Sequence, residues 1–160
     1  MSSQLEMAFW AALSGGAAGN VRTSLAIWNH GSQQCKLRGW ATLQFLNSGG
    51  GLVPTHWIET TASFFGSADP VAVSLPACEA LSSCVAEASP AAYISFAGDD
   101  VLEPCETAAG IRVVTPGSST PIVVNLRVGD FPNGQTYCSA GKIFVLPIQS
   151  AAAVLGPALS

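Results

Sequence analysis

The sequence predicts an all-β fold, an antiparallel sandwich in one domain, and three observations carry that expectation. Apolar and polar residues alternate with a period of two through several short runs, the mark of strands with one face in a core. Clusters of Gly, Pro and Asn separate those runs at regular spacing and leave about nine strands. No stretch of roughly 20–50 residues repeats itself, which sets aside solenoids and propellers.

The elements follow in order. Gln4 to Leu13 is expected to be the first strand, running into a glycine-rich turn at Ser14–Gly19. Val21 to Asn29 alternates cleanly. Val21, Thr23, Leu25 and Ile27 fall on one face, and Arg22, Ser24, Ala26 and Trp28 on the other, as in a half-buried strand. Asn29-His30-Gly31-Ser32 is turn chemistry. Alternation resumes at Cys35 and Leu37 and again at Leu43 and Phe45. Gly39 between them marks a bulge, which leaves the direction of Trp40 open. Asn47–Gly51 is a flexible turn.

Thr55–Phe65 is β-branched and aromatic, and Val71–Leu75 is a short strand ending at Pro76. Ala77–Pro90 has the composition of a helical turn or a loop. Ala92–Ala97 and Ile111–Thr115 read as strands, with an acidic loop at Gly98–Glu106 between them. Ile122, Val124, Leu126 and Val128 line one face of the next strand, Pro132-Asn133-Gly134 turns, and Lys142–Ile148 is the last strong strand. The domain is assigned to residues 1–150. Residues 151–160 form an apolar, uncharged tail that packs on the domain or on a neighbour.

One stretch carries a resemblance. Gly15–Leu46 contains Gly16-Ala17-Ala18-Gly19, an apolar strand ending at Asn29, Gly31, and then Cys35-x-Leu37-x-Gly39-Trp40. This resembles domain-of-unknown-function family 4232, a bacterial family of secreted and lipoprotein-borne domains. The likeness is most specific from Gly16 to Trp40. It extends more loosely to Cys138–Gly141 and the apolar strand after it, and so covers most of the chain. The resemblance implies an extracytoplasmic, immunoglobulin-like sandwich with no assigned activity, and it brings no catalytic residues. It also implies that a cysteine just before the pair matching Gln4-Leu5 is the partner of the cysteine matching Cys35. Here Met1-Ser2-Ser3 stands in that place, which makes Cys35 a candidate unpaired thiol.

Composition narrows the classes. Hydrophobic residues make up 49% and charged residues 10%, so the surface must be built from Ser, Thr, Asn, Gln and Gly. Net charge is −4 with 6 Lys and Arg, which argues against nucleic acid or an anionic membrane as partner. No run approaches the roughly 20 apolar residues of a membrane span. The start lacks a basic region and Glu6 interrupts its apolar run, so no signal peptide is expected in it. Any lipoprotein or envelope attachment would lie outside the given chain.

The five cysteines are Cys35, Cys78, Cys84, Cys105 and Cys138. None forms a CxxC pair, which disfavours zinc-ribbon and thioredoxin readings. A disulfide framework in an oxidising compartment fits better. Cys78 with Cys84 closes a local loop, and Cys105 with Cys138 a long one, worth about 3–4 kcal/mol by chain entropy. Five buried free thiols in a cytosolic protein is the alternative.

Chemistry is sparse. There is no GxSxG elbow, and only His30 and His56 offer an imidazole base. His30, Cys35 and His56 do not form a fixed metal motif. Asp99, Asp100, Glu103 and Glu106 lack EF-hand spacing and read as a solvated acidic loop. No catalytic residue, metal or cofactor is expected. The aromatics offer a candidate contact surface of Trp28 and Trp40 beside Arg22 and Arg38. In the alternative reading a loop covers Trp28.

The expected function is a non-enzymatic, extracytoplasmic interaction or structural module of a bacterial envelope or surface, with a protein partner or self-assembly. The alternatives are a subunit of an ordered assembly, such as a filament, sheath or virion decoration, and a glycan or small-molecule binder using exposed Trp.

Overall fold

The computed structural model describes residues 5–11, 14–17, 19–63, 66–77, 90–127 and 131–155, and nearly all regular structure in them is strand. In chain order these are β1 (Leu5–Phe9), β2 (Gly15–Ala17), β3 (Asn20–Asn29), β4 (Cys35–Leu37), β5 (Thr42–Leu46), β6 (His56–Glu59), β7 (Ala62–Ser63), β8 (Gly66–Ser67), β9 (Val73–Leu75), β10 (Ala92–Asp99), β11 (Glu106–Ala108), β12 (Gly110–Val114), β13 (Ile122–Asn125), β14 (Gln135–Tyr137), β15 (Lys142–Val145) and β16 (Gln149–Ser150), followed by a one-turn helix α1 (Ala151–Leu155). The all-β expectation holds. There are more strands than nine because glycines and turns break the expected runs into shorter pairs.

The main sheet runs β1-β3-β10-β15-β6, with β2 beside β3 and β16 beside β10. Its pairings are antiparallel except β15 with β6, which is parallel, Ile143 opposite Trp57. A three-stranded sheet β13-β12-β5 packs against it, with Leu43 opposite Val113 and Phe45 opposite Ile111. Three two-stranded ribbons, β4–β9, β7–β8 and β11–β14, complete the sheets. One core cluster joins the two layers: Leu25, Ile27, Ile94, Phe96, Ile143 and Val145 from the main sheet meet Leu43, Phe45, Ile111, Val113 and Val124. Phe45 stacks on Tyr137 at 4.4 Å and lies 6.0 Å from Phe96. The Tyr137 hydroxyl is hydrogen-bonded to Thr23 at 2.7 Å, which satisfies both buried groups.

The alternation of β3 is reproduced, but its outer face is not open to solvent. Residues 23–29 are buried on both faces. Ala26, Trp28 and Tyr93 form a second apolar cluster, covered by Ala8, Trp10, Ala151 and Val154. Trp28 is only 3% exposed, and Trp10 meets it edge-on at 5.8 Å. The first half of the apolar tail therefore packs on its own sheet. Between Ser24 and Ser95, on the same face, the two hydroxyls bond at 2.8 Å.

Turn chemistry behaves as its residues dictate. The Asn29 side chain accepts from the Gly31 amide at 2.9 Å and donates to the carbonyls of Gln33 and Leu75 at 2.8 and 3.0 Å. Gly39, at φ 98, ends the run from Cys35 and lets Trp40 turn half into the core, where its Nε1 donates to the Thr60 carbonyl at 3.0 Å. Gly141 permits a close approach: a Cβ there would sit 1.9 Å from the Pro54 carbonyl oxygen. Residues 78–89, with Cys78, Cys84 and most of the expected helical turn, lie outside the described residues.

Candidate functional site

The groups most available for recognition gather at one end of the sandwich, around the loop from Asp99 to Cys105. A disulfide joins Cys105 to Cys138, as the sequence suggests. Backbone bonds tie the same segments together: the Cys138 amide to the Asp99 carbonyl at 2.8 Å, Ser139 to Leu102 at 2.6 Å, and Ala140 to Pro104 at 3.0 Å. Ser139, Ala140 and Gly141 all have left-handed backbone, at φ 54, 57 and 80. For the two non-glycine residues this conformation is unfavourable, and it persists because the surrounding contacts over-determine it. Val101 and Leu102 at the loop tip are each 63% exposed. The result is a rigidly mounted apolar tip.

A cleft lies on each side of this loop. The smaller, about 480 Å³, is lined by Ser63, Asp99, Leu102, Ser139, Lys142 and Phe144, among others. Ser139 donates its hydroxyl proton to Asp99 Oδ2, while Oδ1 accepts from the Leu102 and Val101 amides at 2.9 and 3.1 Å. The Ser139 hydroxyl first, then the Leu102 amide, hold the Asp99 carboxyl below the ordinary carboxylate range. Lys142 Nζ sits 5.3 Å from the Phe144 ring centroid. The arrangement braces a carboxylate. Among the described hydrogen bonds no hydroxyl meets an imidazole.

The larger cleft, about 600 Å³, opens where β1 and β2 fail to run on into one strand. Both pair with the same edge of β3, but the β1 ladder ends at Phe9, with the Trp10 amide still donating to the Ser24 carbonyl at 2.9 Å, and the β2 ladder begins at Gly15. The Ser14 hydroxyl oxygen bridges the break by accepting from the Ser24 amide at 3.0 Å. Phe9, Val21 and Phe131 wall the cleft, and Arg22, Asp100, Gln135 and Thr136 supply polar groups. Arg22 is half-buried, and burial lowers its pKa, so its charge is partly stripped of water.

The sequence-derived contact residues are not brought together. Arg22 and Trp28 share a face of β3, but six residues of extended chain, about 20 Å, separate them. Trp28 is buried and Trp40 half-buried, with its indole nitrogen bonded inside the protein, so neither presents an open aromatic face. Arg38 is exposed on the connection after β4. The expected Trp–Arg surface is corrected on these grounds; of its members Arg22 lines the larger of the two clefts described above. Cys35 is buried on β4 opposite Leu75. His30 Nε2 is hydrogen-bonded to the Glu6 carboxylate, and His56 lies opposite Lys142 on the exposed side of β6. Among the described residues no three His, Cys, Asp or Glu side chains converge as metal ligands.

Sequence reasoning passed over Ser139 and Phe131. Phe131 left a legible signal, a large apolar residue directly before Pro132-Asn133-Gly134, and it is 53% exposed. Ser139 left none, because its role depends on Asp99 across a long loop closure. No family model matches the chain, and no curated protein or solved structure matches it. Among the described residues no helix is long and apolar enough to cross a membrane.

Proposed function

We propose that this protein is a non-enzymatic interaction module that works outside the reducing cytoplasm, on a bacterial envelope or surface, and that the loop end of the sandwich is its binding end. The observation that carries this reading is the loop from Asp99 to Cys105. It presents Val101 and Leu102 to solvent and is fastened at its base by a covalent bond. Fixing a loop before it meets a partner removes part of the ordering cost of binding. Disulfides persist in oxidising compartments, which supports an extracytoplasmic setting. The resemblance to family 4232 points the same way and supplies the bacterial envelope.

The competing reading is a subunit of an ordered assembly. It drew on the apolar tail, and the packing of α1 on its own sheet takes away the described half of that argument. Native mass by light scattering, with and without reductant, separates the two. A monomer in both conditions is expected. A large species that survives reductant would replace the module reading with the assembly one.

A further inference from the structure

We propose that the cleft beside Arg22 is a binding site for a small carboxylate with an apolar body, the carboxylate seated on the guanidinium and the body against Phe9, Val21 and Phe131. This deepens the module reading and rests on it only for the choice of end.

The cation comes first. Arg22 stands on β3 with Gly15 opposite it on one side and Ala97 on the other. Neither neighbour has a side chain that can reach over the guanidinium or pair with it. The one acid–base side-chain pair within ion-pair distance among the described residues is Glu6 with His30, so Asp100 lines the same cleft without bonding Arg22. An arginine remains charged at any physiological pH. A partly desolvated guanidinium without a carboxylate is an incomplete arrangement, and an anion supplied from outside completes it.

The walls fix the rest of the ligand. The break between β1 and β2 leaves Gly15 and Gly16 on one side, where bare backbone lets a ligand approach closely, and Phe9 and Phe131 flank the opening. The volume suits a small organic molecule. One cation fits one negative charge. The planar fork of a guanidinium matches a carboxylate with two parallel hydrogen bonds. A phosphate dianion would want further cations, and Asp100 on the rim opposes it. The carboxylate has two possible sources, a free acid or the end of a peptide chain.

The test is a titration of the ¹⁵N-labelled full chain followed by amide shifts. The probes are 3-phenylpropionate, its neutral alcohol 3-phenylpropanol, inorganic phosphate and N-acetyl-glycyl-phenylalanine. Saturable shifts are expected at Gly16, Val21, Arg22 and Thr136 with the acid, and the alcohol and phosphate should bind at least about tenfold more weakly. Arg22→Gln should weaken the acid by at least about tenfold, and Arg38→Gln, a cation outside the cleft, should change nothing. Phe131→Ala, at an exposed site where folding is not at stake, should weaken it about threefold or more. Tighter binding of the peptide than of the free acid assigns a chain terminus as ligand, and the reverse assigns a free acid. The proposal falls if alcohol and acid bind alike, if Arg22→Gln and Phe131→Ala both leave binding intact, or if neither carboxylate saturates by about 20 mM, far weaker than a useful site. Such a failure in a protein that remains monomeric leaves the module reading standing. A large assembly overturns that reading and leaves the titration interpretable.

Discussion

Two tyrosines on the main sheet and its flank illustrate how much a single hydroxyl depends on its partner. Tyr137 and Tyr93 are both fully buried. Tyr137 shares a hydrogen bond with Thr23, whereas the Tyr93 hydroxyl has no partner among the described residues. Tyr137→Phe should therefore cost about 1–2 kcal/mol in denaturant unfolding, because the Thr23 hydroxyl is left buried and alone. Tyr93→Phe should be neutral or stabilising by up to about 1 kcal/mol, since it removes an unsatisfied group and keeps the ring. A loss of more than that would mean the hydroxyl is satisfied after all. Burial raises the Tyr137 pKa above its ordinary value, so its neutral form is favoured in the fold. That contribution is complete below about pH 10 and is lost as pH rises through the ordinary tyrosine range toward the folded value. The alkaline fall in stability should be shallower in Tyr137→Phe than in the parent. None of this could be read from sequence: Thr23 and Tyr137 are 114 residues apart in the chain, and only the third dimension brings their hydroxyls together.

At the scale of elements, β3 was legible and its environment was not. The alternation from Val21 to Asn29 gave the two faces correctly, because side-chain period is a local property of extended chain. What covers the second face comes from Trp10 and from Val154, both far from Trp28 in space until the chain folds. A strand covered on both sides keeps its alternation but loses its exposed face, and Trp28 went from candidate contact to core for that reason. The Cys105–Cys138 pairing was one the sequence offered and the structure contains, and the brace it serves was not legible. Replacing both cysteines with Ala should cost about 3–4 kcal/mol by the closure entropy of the loop. Hydrogen exchange should quicken first at Val101, Leu102, Ser139 and Ala140, whose backbone depends on that corner. Uniform quickening across β3 and β10 would show that the bond supports the whole sandwich rather than the loop.

Across the whole molecule, the apolar tail and the larger sheet are one structure. Deleting residues 151–160 removes Ala151 and Val154 from over Trp28 and Tyr93. It should lower stability by about 1–2 kcal/mol and shift tryptophan emission to the red, with native mass unchanged. A drop in native mass would instead tie the tail to a neighbour. The order of strands has a further consequence in time. The main sheet places β15 between β10 and β6, and β6 pairs with it in parallel, so residues near position 57 wait for residues near 143. Until then β10 has an open edge and β6 has no sheet to join. A nascent chain cannot close this sheet before β15 has left the ribosome. Non-local pairing of this kind folds slowly, on a scale of about milliseconds to seconds. Stopped-flow refolding should fall in that range, and until β15 docks, the open edge of β10 is where a second unfolded copy of the chain would pair.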